Sequence, residues 1–150
     1  MVEWSEFIRF GVNLGTDPLN KKRPRFPNKW QELETSKYKN QDNFAVLTGS
    51  KNNIIVIDID KDKATGEMPG LEWFKSIFGE LKDTRTLITK SWSGGYHIFF
   101  KYTKEIGSMA FRDLCIDVQS DGKCVFQGKN YDVIYDNLIQ ELSKEQIARV

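Results

Sequence analysis

The chain has 150 residues, of which 39% are hydrophobic and 29% are charged, and its formal net charge is +1. This composition is ordinary for a soluble globular protein and allows one domain with its own core over residues 1–150. The chain has no apolar run near the roughly 20 residues of a membrane helix and no signal-peptide pattern at its start. Two cysteines and one histidine fit neither a disulfide framework nor a common zinc motif. We therefore expect an intracellular domain with reduced thiols and no membrane contact.

The first half of the chain is predicted to hold one prominent strand among short elements. Three prolines interrupt residues 16–29, which favours a loop there. The run at 54–60 is β-branched and ends in acids, which predicts a strand. The other elements predicted in this half are a short helix at 2–10, a short helix at 30–40 and a strand at 44–47.

The second half predicts one helix followed by a series of strands. Apolar residues recur at helical spacing over 70–82, after a loop at 61–69. Asp121–Gly122 is a hairpin signal, so the segments 114–119 and 124–127 are predicted to pair with each other. The other predicted elements are strands at 86–90, 96–102 and 131–135 and a closing helix at 137–149. Together these elements predict a mixed α/β domain in which most strands are antiparallel.

Two acids end the predicted strand at 54–60. Because side chains alternate faces along a strand, Asp58 and Asp60 point the same way while Ile57 and Ile59 face the core. Two carboxylates roughly 6–7 Å apart on one strand face suit hard divalent cations such as Mg²⁺ or Mn²⁺. Taken alone, the pattern also fits the commoner case of a strand that simply runs out into solvent.

A glycine turn precedes the only histidine of the chain. Ser93, Gly94 and Gly95 are predicted to form a turn that leads into the strand of His97. Glycines let a backbone approach a phosphate closely, and free N–H groups and serine hydroxyls can bind it. Taken alone, a histidine in an aromatic strand is more often a core residue with satisfied hydrogen bonds.

A third acid, Asp117, lies between Ile116 and Val118 in a predicted strand. An unpaired buried charge is costly, so an acid at such a position calls for an explanation. An outward-facing residue on an edge strand explains this motif as well as a functional site does.

Five bases without an acid occupy the stretch from Lys21 to Lys29. A basic segment beside an acidic centre suits a protein that holds a polyanion near bound metal. We predict that this stretch contacts template or primer phosphates, although a solvated loop is the simpler interpretation from charge alone. The residues predicted to bind nucleic acid are Lys21, Lys22, Arg23 and Arg25.

In combination and in this order, the three motifs resemble those of the primase-polymerase (Prim-Pol) domain of the archaeo-eukaryotic primase superfamily. That group carries a hydrophobic–Asp–x–Asp strand, then a small–x–His motif, then a hydrophobic–Asp strand. This chain has IDID at 57–60, SGGYH at 93–97 and ID at 116–117, and the resemblance covers roughly residues 20–145. Supporting matches are NFAVLTG at 43–49, Thr89 and Tyr131.

The resemblance implies a fold and an activity. The implied fold is a mostly antiparallel, RNA-recognition-like sheet beside a smaller N-terminal α/β module. The implied activity is template-dependent nucleotidyl transfer in DNA replication, as a DNA primase or polymerase, with Mg²⁺ or Mn²⁺ as cofactor. Nucleoside triphosphates and a single-stranded DNA template with its primer are the implied partners. A further likeness to the primase part of large-DNA-virus or mobile-element primase-helicases predicts a helicase domain in the same full-length chain.

The same resemblance implies roles for individual residues. Asp58 and Asp60 would hold two divalent ions with the triphosphate, and Asp117 would bind the ion that activates the attacking hydroxyl. His97 would contact the triphosphate. The further nucleotide contacts that we predict are Ser93, Gly94, Gly95, Lys90, Lys101 and Lys123.

Two other functions fit the same residues. One is a metal-dependent nuclease that uses the same acids. The other is a non-catalytic module for single-stranded nucleic acid, in which the sheet presents Tyr96, Phe99 or Tyr102 for base stacking. The second of these predicts DNA binding that does not depend on metal.

Overall fold

Two antiparallel β-sheets and two α-helices form the part of the chain that the computed structural model describes, residues 1–14 and 25–150. All pairings between the strands of this part are antiparallel. The helices are α1 (Pro69–Phe78) and α2 (Lys144–Arg149). The strands are β1 (Arg9–Val12), β2 (Asn43–Leu47), β3 (Ile54–Ile59), β4 (Ile88–Ser91), β5 (Tyr96–Lys101), β6 (Met109–Phe111), β7 (Ile116–Gln119), β8 (Cys124–Gly128) and β9 (Tyr131–Tyr135). The predicted fold class, mixed α/β with mostly antiparallel strands, is therefore confirmed.

The larger sheet has six strands in the order β6-β7-β3-β5-β4-β9. Strand β3 lies inside it and is covered on both faces, which explains its unbroken β-branched run. Ile55 and Ile57 pack on one face in a core shared with Phe74 of α1. Ile54 and Val56 pack on the other face, in the core between the two sheets. Because side chains alternate faces along a strand, Asp58 lies on the same face as Ile54 and Val56, and its side chain points toward the smaller sheet.

The smaller sheet has three strands in the order β1-β2-β8. Phe44 of β2 and Val125 of β8 pack against Phe99 of the larger sheet, which joins the two sheets through one apolar layer. This is the smaller module that the resemblance implied, but its third strand comes from the C-terminal half of the chain. Its helical parts within the described residues are single 3₁₀ turns, such as Trp30–Glu32, rather than α-helices.

The predicted hairpin of segments 114–119 and 124–127 is wrong. Strand β7 uses both of its edges, toward β3 and toward β6, so β8 cannot pair with it. The turn between them instead carries the chain to the smaller sheet, where β8 pairs with β2. Thr48 anchors this crossover: its hydroxyl donates to the Ser120 carbonyl at 2.6 Å, and its N–H donates to the Lys123 carbonyl at 3.0 Å.

The helices predicted at 2–10 and 30–40 are also wrong. Residues 2–10 contain one 3₁₀ turn, Trp4–Glu6, and then enter β1, in which Phe10 and Val12 are buried against β2. Most side chains of residues 31–40 are exposed, so they form no apolar stripe to hold a helix against the core. The loop predicted at 16–29 falls largely outside the described residues.

Both α-helices are shorter than predicted. Helix α1 ends at Phe78 because Gly79 follows with φ 81°, a backbone conformation that favours glycine. Helix α2 begins only at Lys144, where Ser143 and Gln146 form a reciprocal capping box. Neither helix, nor any other in residues 1–14 and 25–150, is long and apolar enough to cross a membrane.

Candidate active site

A row of directly paired residues crosses four strands of the larger sheet. Asp58 on β3 pairs with Asp117 on β7 and with His97 on β5, and His97 pairs in turn with Thr89 on β4. Directly paired residues of neighbouring strands have their side chains on the same face. Asp58 alternates with Ile57 on β3, so this face is the one that looks toward the smaller sheet.

Asp60 directly follows the last residue of β3 and adds a third carboxylate beside this row. It lies two residues after Asp58 and so shares its face, and its N–H donates to the Cys115 carbonyl at 2.9 Å. Gly95 lies opposite it across the sheet. A Cβ at Gly95 would lie 2.8 Å from Asp60 Oδ1 and 2.9 Å from the Ile59 carbonyl. The absence of a side chain at Gly95 therefore leaves room for the Asp60 carboxylate.

The row opens into a cleft of about 620 Å³ between the larger sheet and the β8 edge of the smaller sheet. The acids and His97 lie on one side, together with the turn of Ser91, Ser93 and Gly95. Another side is aromatic. Its residues are Phe26, Trp30 and Phe126.

His97 is held from two further strands. Its Nδ1 lies 2.8 Å from Nε2 of Gln127 on β8, and the ring of Tyr131 at the start of β9 stacks on the imidazole with centroids 5.5 Å apart. The other ring nitrogen, Nε2, lies 3.4 Å from Asp58 Oδ1. The imidazole is thus fixed on one side and presents Nε2 to the acids.

Negative charge accumulates in the cleft. Asp60 keeps solvent-exposed surface, yet partial burial of its carboxyl group, and next the charge of Asp58, raise its pKa to about 6. Partial burial and Asp58 also raise the pKa of Asp117, which Lys123 and Arg112 oppose. A cation bound beside Asp60 and Asp117 would favour the ionised forms of both carboxyl groups.

Two other titratable groups of the cleft are neutral near pH 7. Burial raises the pKa of the Tyr131 phenol to about 12, with smaller contributions from Asp58 and Asp60. Burial likewise raises the pKa of the Cys124 thiol to about 12. Since the thiolate is the nucleophilic form of cysteine, Cys124 is not suited to covalent catalysis.

The acids fit a hard divalent cation. Carboxylate oxygens are the ligands that Mg²⁺ and Mn²⁺ prefer. Asp58 Oδ1 is buried and accepts no well-aligned hydrogen bond within residues 1–14 and 25–150, although His97 Nε2 lies 3.4 Å from it. Buried carboxylate oxygens normally have a partner. In the same residues no three His, Cys, Asp or Glu side chains form a complete metal-binding group. Mg²⁺ in general needs only one or two carboxylates from a protein, since substrate phosphates and water complete its ligands.

The model of the family described as bifunctional DNA primase/polymerase, N-terminal (Prim-Pol), matches residues 14–137, well over half of the chain. The chain belongs to the Prim-Pol family. The match confirms the resemblance and includes the three acids and His97. Among curated proteins, none matches this Prim-Pol chain significantly.

Most of the predicted site residues of this Prim-Pol chain lie together. Those that line the cleft are Asp58, Asp60, Asp117, His97, Ser93, Gly95 and Lys123. Gly94 is buried in the turn and has φ 100°. The Lys61 side chain lies so close to Gly94 that a Cβ there would come within 2.6 Å of Lys61 Nζ. The fold thus brings the motifs into one place, and the roles of the individual residues stay predictions.

Two predicted nucleotide contacts lie elsewhere. Lys90 neighbours Thr89 on β4 and therefore points to the opposite face of the sheet, where its Nζ lies 5.5 Å from the centre of the Tyr96 ring. Lys101 lies four residues beyond His97 at the far end of β5, 4.0 Å from Glu141. The structure therefore gives these two lysines no place in the cleft.

The basic stretch is described only in part. Lys21, Lys22 and Arg23 fall outside the described residues. Arg25 is exposed and directly precedes Phe26, which lines the cleft. Contact between this stretch and nucleic acid stays a prediction.

The sequence prediction missed the groups that support His97 and the aromatic side of the cleft. Gln127 is a buried polar residue of a strand with alternating burial, and no local sequence pattern indicates its contact with His97. Phe26 packs edge-on against Phe126 and Trp30, at ring-centroid distances of 5.9 and 5.6 Å. Phe126 is distant in sequence from Phe26 and Trp30, so no local pattern joins it to them.

Proposed function

We propose that this cleft catalyses template-dependent nucleotidyl transfer, as a DNA primase or polymerase. The observation that carries the proposal is the paired row of Asp117, Asp58 and His97, with Asp60 one step away, on one side of a single cleft. In the reaction, a 3′-hydroxyl attacks the α-phosphate of a nucleoside triphosphate, and pyrophosphate leaves. Membership of the Prim-Pol family supports this reaction class.

The acids would bind the cation, and Lys123 would bind a phosphate oxygen. Asp58, Asp60 and Asp117 would hold Mg²⁺ or Mn²⁺, which when bound stabilises the attacking and leaving oxygens. Their carboxylates also set where a triphosphate can lie, because phosphate oxygens approach them only with a cation between. Lys123 lines the same cleft and supplies a fixed positive charge for a phosphate oxygen.

The turn before β5 supplies neutral hydrogen-bonding groups. The hydroxyls of Ser91 and Ser93 lie 2.8 Å apart, and Ser91 Oγ also accepts from the N–H of Gly95 at 3.0 Å. Both serines line the cleft, so the hydroxyl of Ser93 can turn to a phosphate oxygen. Catalysis by this set of groups would rest on positioning and charge stabilisation, without a covalent enzyme intermediate.

The aromatic side of the cleft offers a place for a base. Phe26 and Trp30 pack edge-on and both line the cleft, with Phe126 beside them. Aromatic faces stack on bases with little sequence preference, which suits a polymerase that must accept all four. The single-stranded template and its primer are accordingly the proposed partners, and the helicase domain in the full-length chain stays a prediction.

The structure gives the sheet-stacking alternative little support. Phe99 is fully buried between the two sheets, so no base can reach it. The hydroxyl of Tyr102 donates to Asp121 at 2.7 Å, and Tyr96 packs against the core on the helical side. Phe99 is thus inaccessible to a base, and the rings of Tyr96 and Tyr102 are partly buried against the core.

The test is a product assay on a labelled primed DNA template, with each nucleotide class and with Mg²⁺, Mn²⁺ or neither. We expect metal-dependent extension of the primer, and its loss in Asp58→Asn. Asp83→Asn, which changes an exposed acid in the 3₁₀ turn Leu81–Thr84, is the matched control and should extend normally. Metal-dependent shortening of the DNA would show a nuclease instead, and metal-independent binding without synthesis would show a binding module.

A further inference from the structure

The contact between His97 and Gln127 joins the two sheets at the centre of the cleft. Gln127 is 1% exposed and belongs to β8, where it pairs with Phe44 of the smaller sheet. Its side chain crosses the space between the sheets, and its Nε2 reaches His97 Nδ1 at 2.8 Å. A residue of the smaller sheet thus determines the surroundings of a side chain on the larger one.

The chemistry of this contact selects one form of the imidazole. Gln127 presents its amide nitrogen to Nδ1 of His97, and since an amide nitrogen donates hydrogen bonds and cannot accept them, Nδ1 is the acceptor in this arrangement. In a neutral imidazole the proton is then on Nε2. Nε2 is the nitrogen that lies 3.4 Å from Asp58 Oδ1, on the side of the acids. His97 in this form presents an N–H donor toward the cleft. The reversed amide would need a proton on Nδ1 and would turn the lone pair of Nε2 toward the Asp58 carboxylate.

Two further contacts fix the geometry. The Tyr131 ring stacks on the imidazole with an interplanar angle of 21°, which restricts rotation of the ring. Gly128, next to Gln127, has φ 120°, and a Cβ there would lie 2.4 Å from the Asp42 carbonyl and 2.8 Å from Asn43 Cα. This close approach of β8 to β2 fixes the register that places Gln127 opposite His97.

We propose that Gln127 is a positioning residue, which holds His97 with its proton on Nε2 and so keeps an N–H donor aimed at the triphosphate. The aim at the triphosphate rests on the proposed function, whereas the protonation of the ring does not. Without Gln127 the proton can move to Nδ1, and Nε2 would then present a lone pair to phosphate oxygens and to Asp58.

Nuclear magnetic resonance tests the first part without any assay of activity. His97 is the only histidine in the chain, so the ¹⁵N spectrum of histidine side chains reports on this ring alone. At a mildly alkaline pH, where a histidine is normally neutral, we expect the proton on Nε2 in the wild type. Gln127→Met, which keeps the length but removes the donor, should give a mixture of both forms. Gln127→Glu, which can only accept, should move the proton to Nδ1.

Thr48→Val is the control, because it removes a different buried hydrogen bond of the same small sheet, the one to the Ser120 carbonyl. It should lower thermal stability as much as Gln127→Met does and leave the ¹⁵N pattern unchanged. A wild-type proton on Nδ1, or a wild-type pattern in Gln127→Met, would overturn the proposal. A change of equal size in Thr48→Val would overturn it too, since it would show a general loosening of the sheet.

The kinetic readout concerns the triphosphate. We expect Gln127→Met to raise the nucleotide KM by about three- to tenfold, the range of one hydrogen bond, with template affinity unchanged. Thr48→Val should leave both unchanged. An equal loss of nucleotide and template affinity in Gln127→Met would reject positioning toward the triphosphate. If the wild type makes no product while the ¹⁵N results hold, the proposed function fails and the role of Gln127 in fixing the ring stands.

Discussion

Asp58 and Asp117 are direct partners across β3 and β7, so two carboxylates from different halves of the chain face the same cleft side by side. Like charges opposite each other destabilise a sheet, and each additional acid here raises the cost. Burial and Asp58 both raise the pKa of Asp117, as expected for a carboxylate in such a position. Under the proposed function, a bound cation would offset this cost.

Asp117→Asn should separate function from folding. Removing one negative charge should abolish most synthesis, by about a hundredfold or more, because the stabilisation that a bound metal ion gives to transition-state charge amounts to several kcal/mol. The melting temperature should stay the same or rise, since repulsion with Asp58 is relieved. Primer extension and thermal unfolding of the same preparation check this. A drop in melting temperature as large as that of a core truncation would point to a structural role for Asp117.

Gly95→Ala should weaken metal binding, because the added methyl group would displace the Asp60 carboxylate. The new Cβ would lie 2.8 Å from Asp60 Oδ1, so the carboxylate must move. We expect weaker Mn²⁺ affinity in a titration with triphosphate present, and slower extension, with the fold retained. Gly107→Ala is the matched control, because nothing lies within 4 Å of a Cβ there. Equal Mn²⁺ affinity in both variants would mean that Asp60 does not hold the ion.

The sequence predicted which residues form the site better than it predicted the strand pairings and contacts that hold them in place. Alternation along β3 places Asp58 and Asp60 on one face, and the glycine turn precedes His97 directly, so both are local patterns. The pairing of Asp58 with Asp117 depends on strand register between distant segments, which no local pattern fixes. Before the structure, only the resemblance to the Prim-Pol family indicated that Asp58 and Asp117 lie together.

The misplaced elements have physical reasons. Asp121–Gly122 is a real turn, with Gly122 at φ 78°, but the strands around it diverge because β6 already occupies the free edge of β7. Lys90 is a predicted nucleotide contact, yet strand alternation sends its side chain to the face opposite the cleft. Gln127 gave no signal of its role, since its partner lies on a different sheet.

Asp121→Asn should reveal the contribution of the crossover turn to stability. The Ser50 N–H, which donates to Asp121 at 2.9 Å, and next the Tyr102 hydroxyl hold the pKa of this carboxyl below its ordinary value of 3.8. Because the folded-state pKa is the lower one, this stabilisation is present above pH 3.8 and is lost as the pH falls through the folded-state pKa. We expect the variant to be less stable by about 0.5 kcal/mol at pH 7, because solvent screens the charge of this exposed carboxylate.

Urea unfolding of Asp121→Asn at several pH values checks this, with Asp113→Asn, an exposed acid in the 3₁₀ turn Arg112–Leu114, as the control. The difference from the wild type should shrink as the solution is acidified, and the control should show none at any pH. A deficit that stays constant down to strongly acidic pH would show that the charge of Asp121 does not stabilise the turn.

Addition of a single nucleotide to a primed DNA template tests the central claim most directly. With Mn²⁺ or Mg²⁺ present, the protein should add the nucleotide complementary to the next template base, and the preferred nucleotide should change when that base is changed. Asp58→Asn should add none, while Asp83→Asn should behave as the wild type. Addition that ignores the template base, or that proceeds equally without metal or with Asp58→Asn, would contradict a templated, metal-dependent transfer in this cleft.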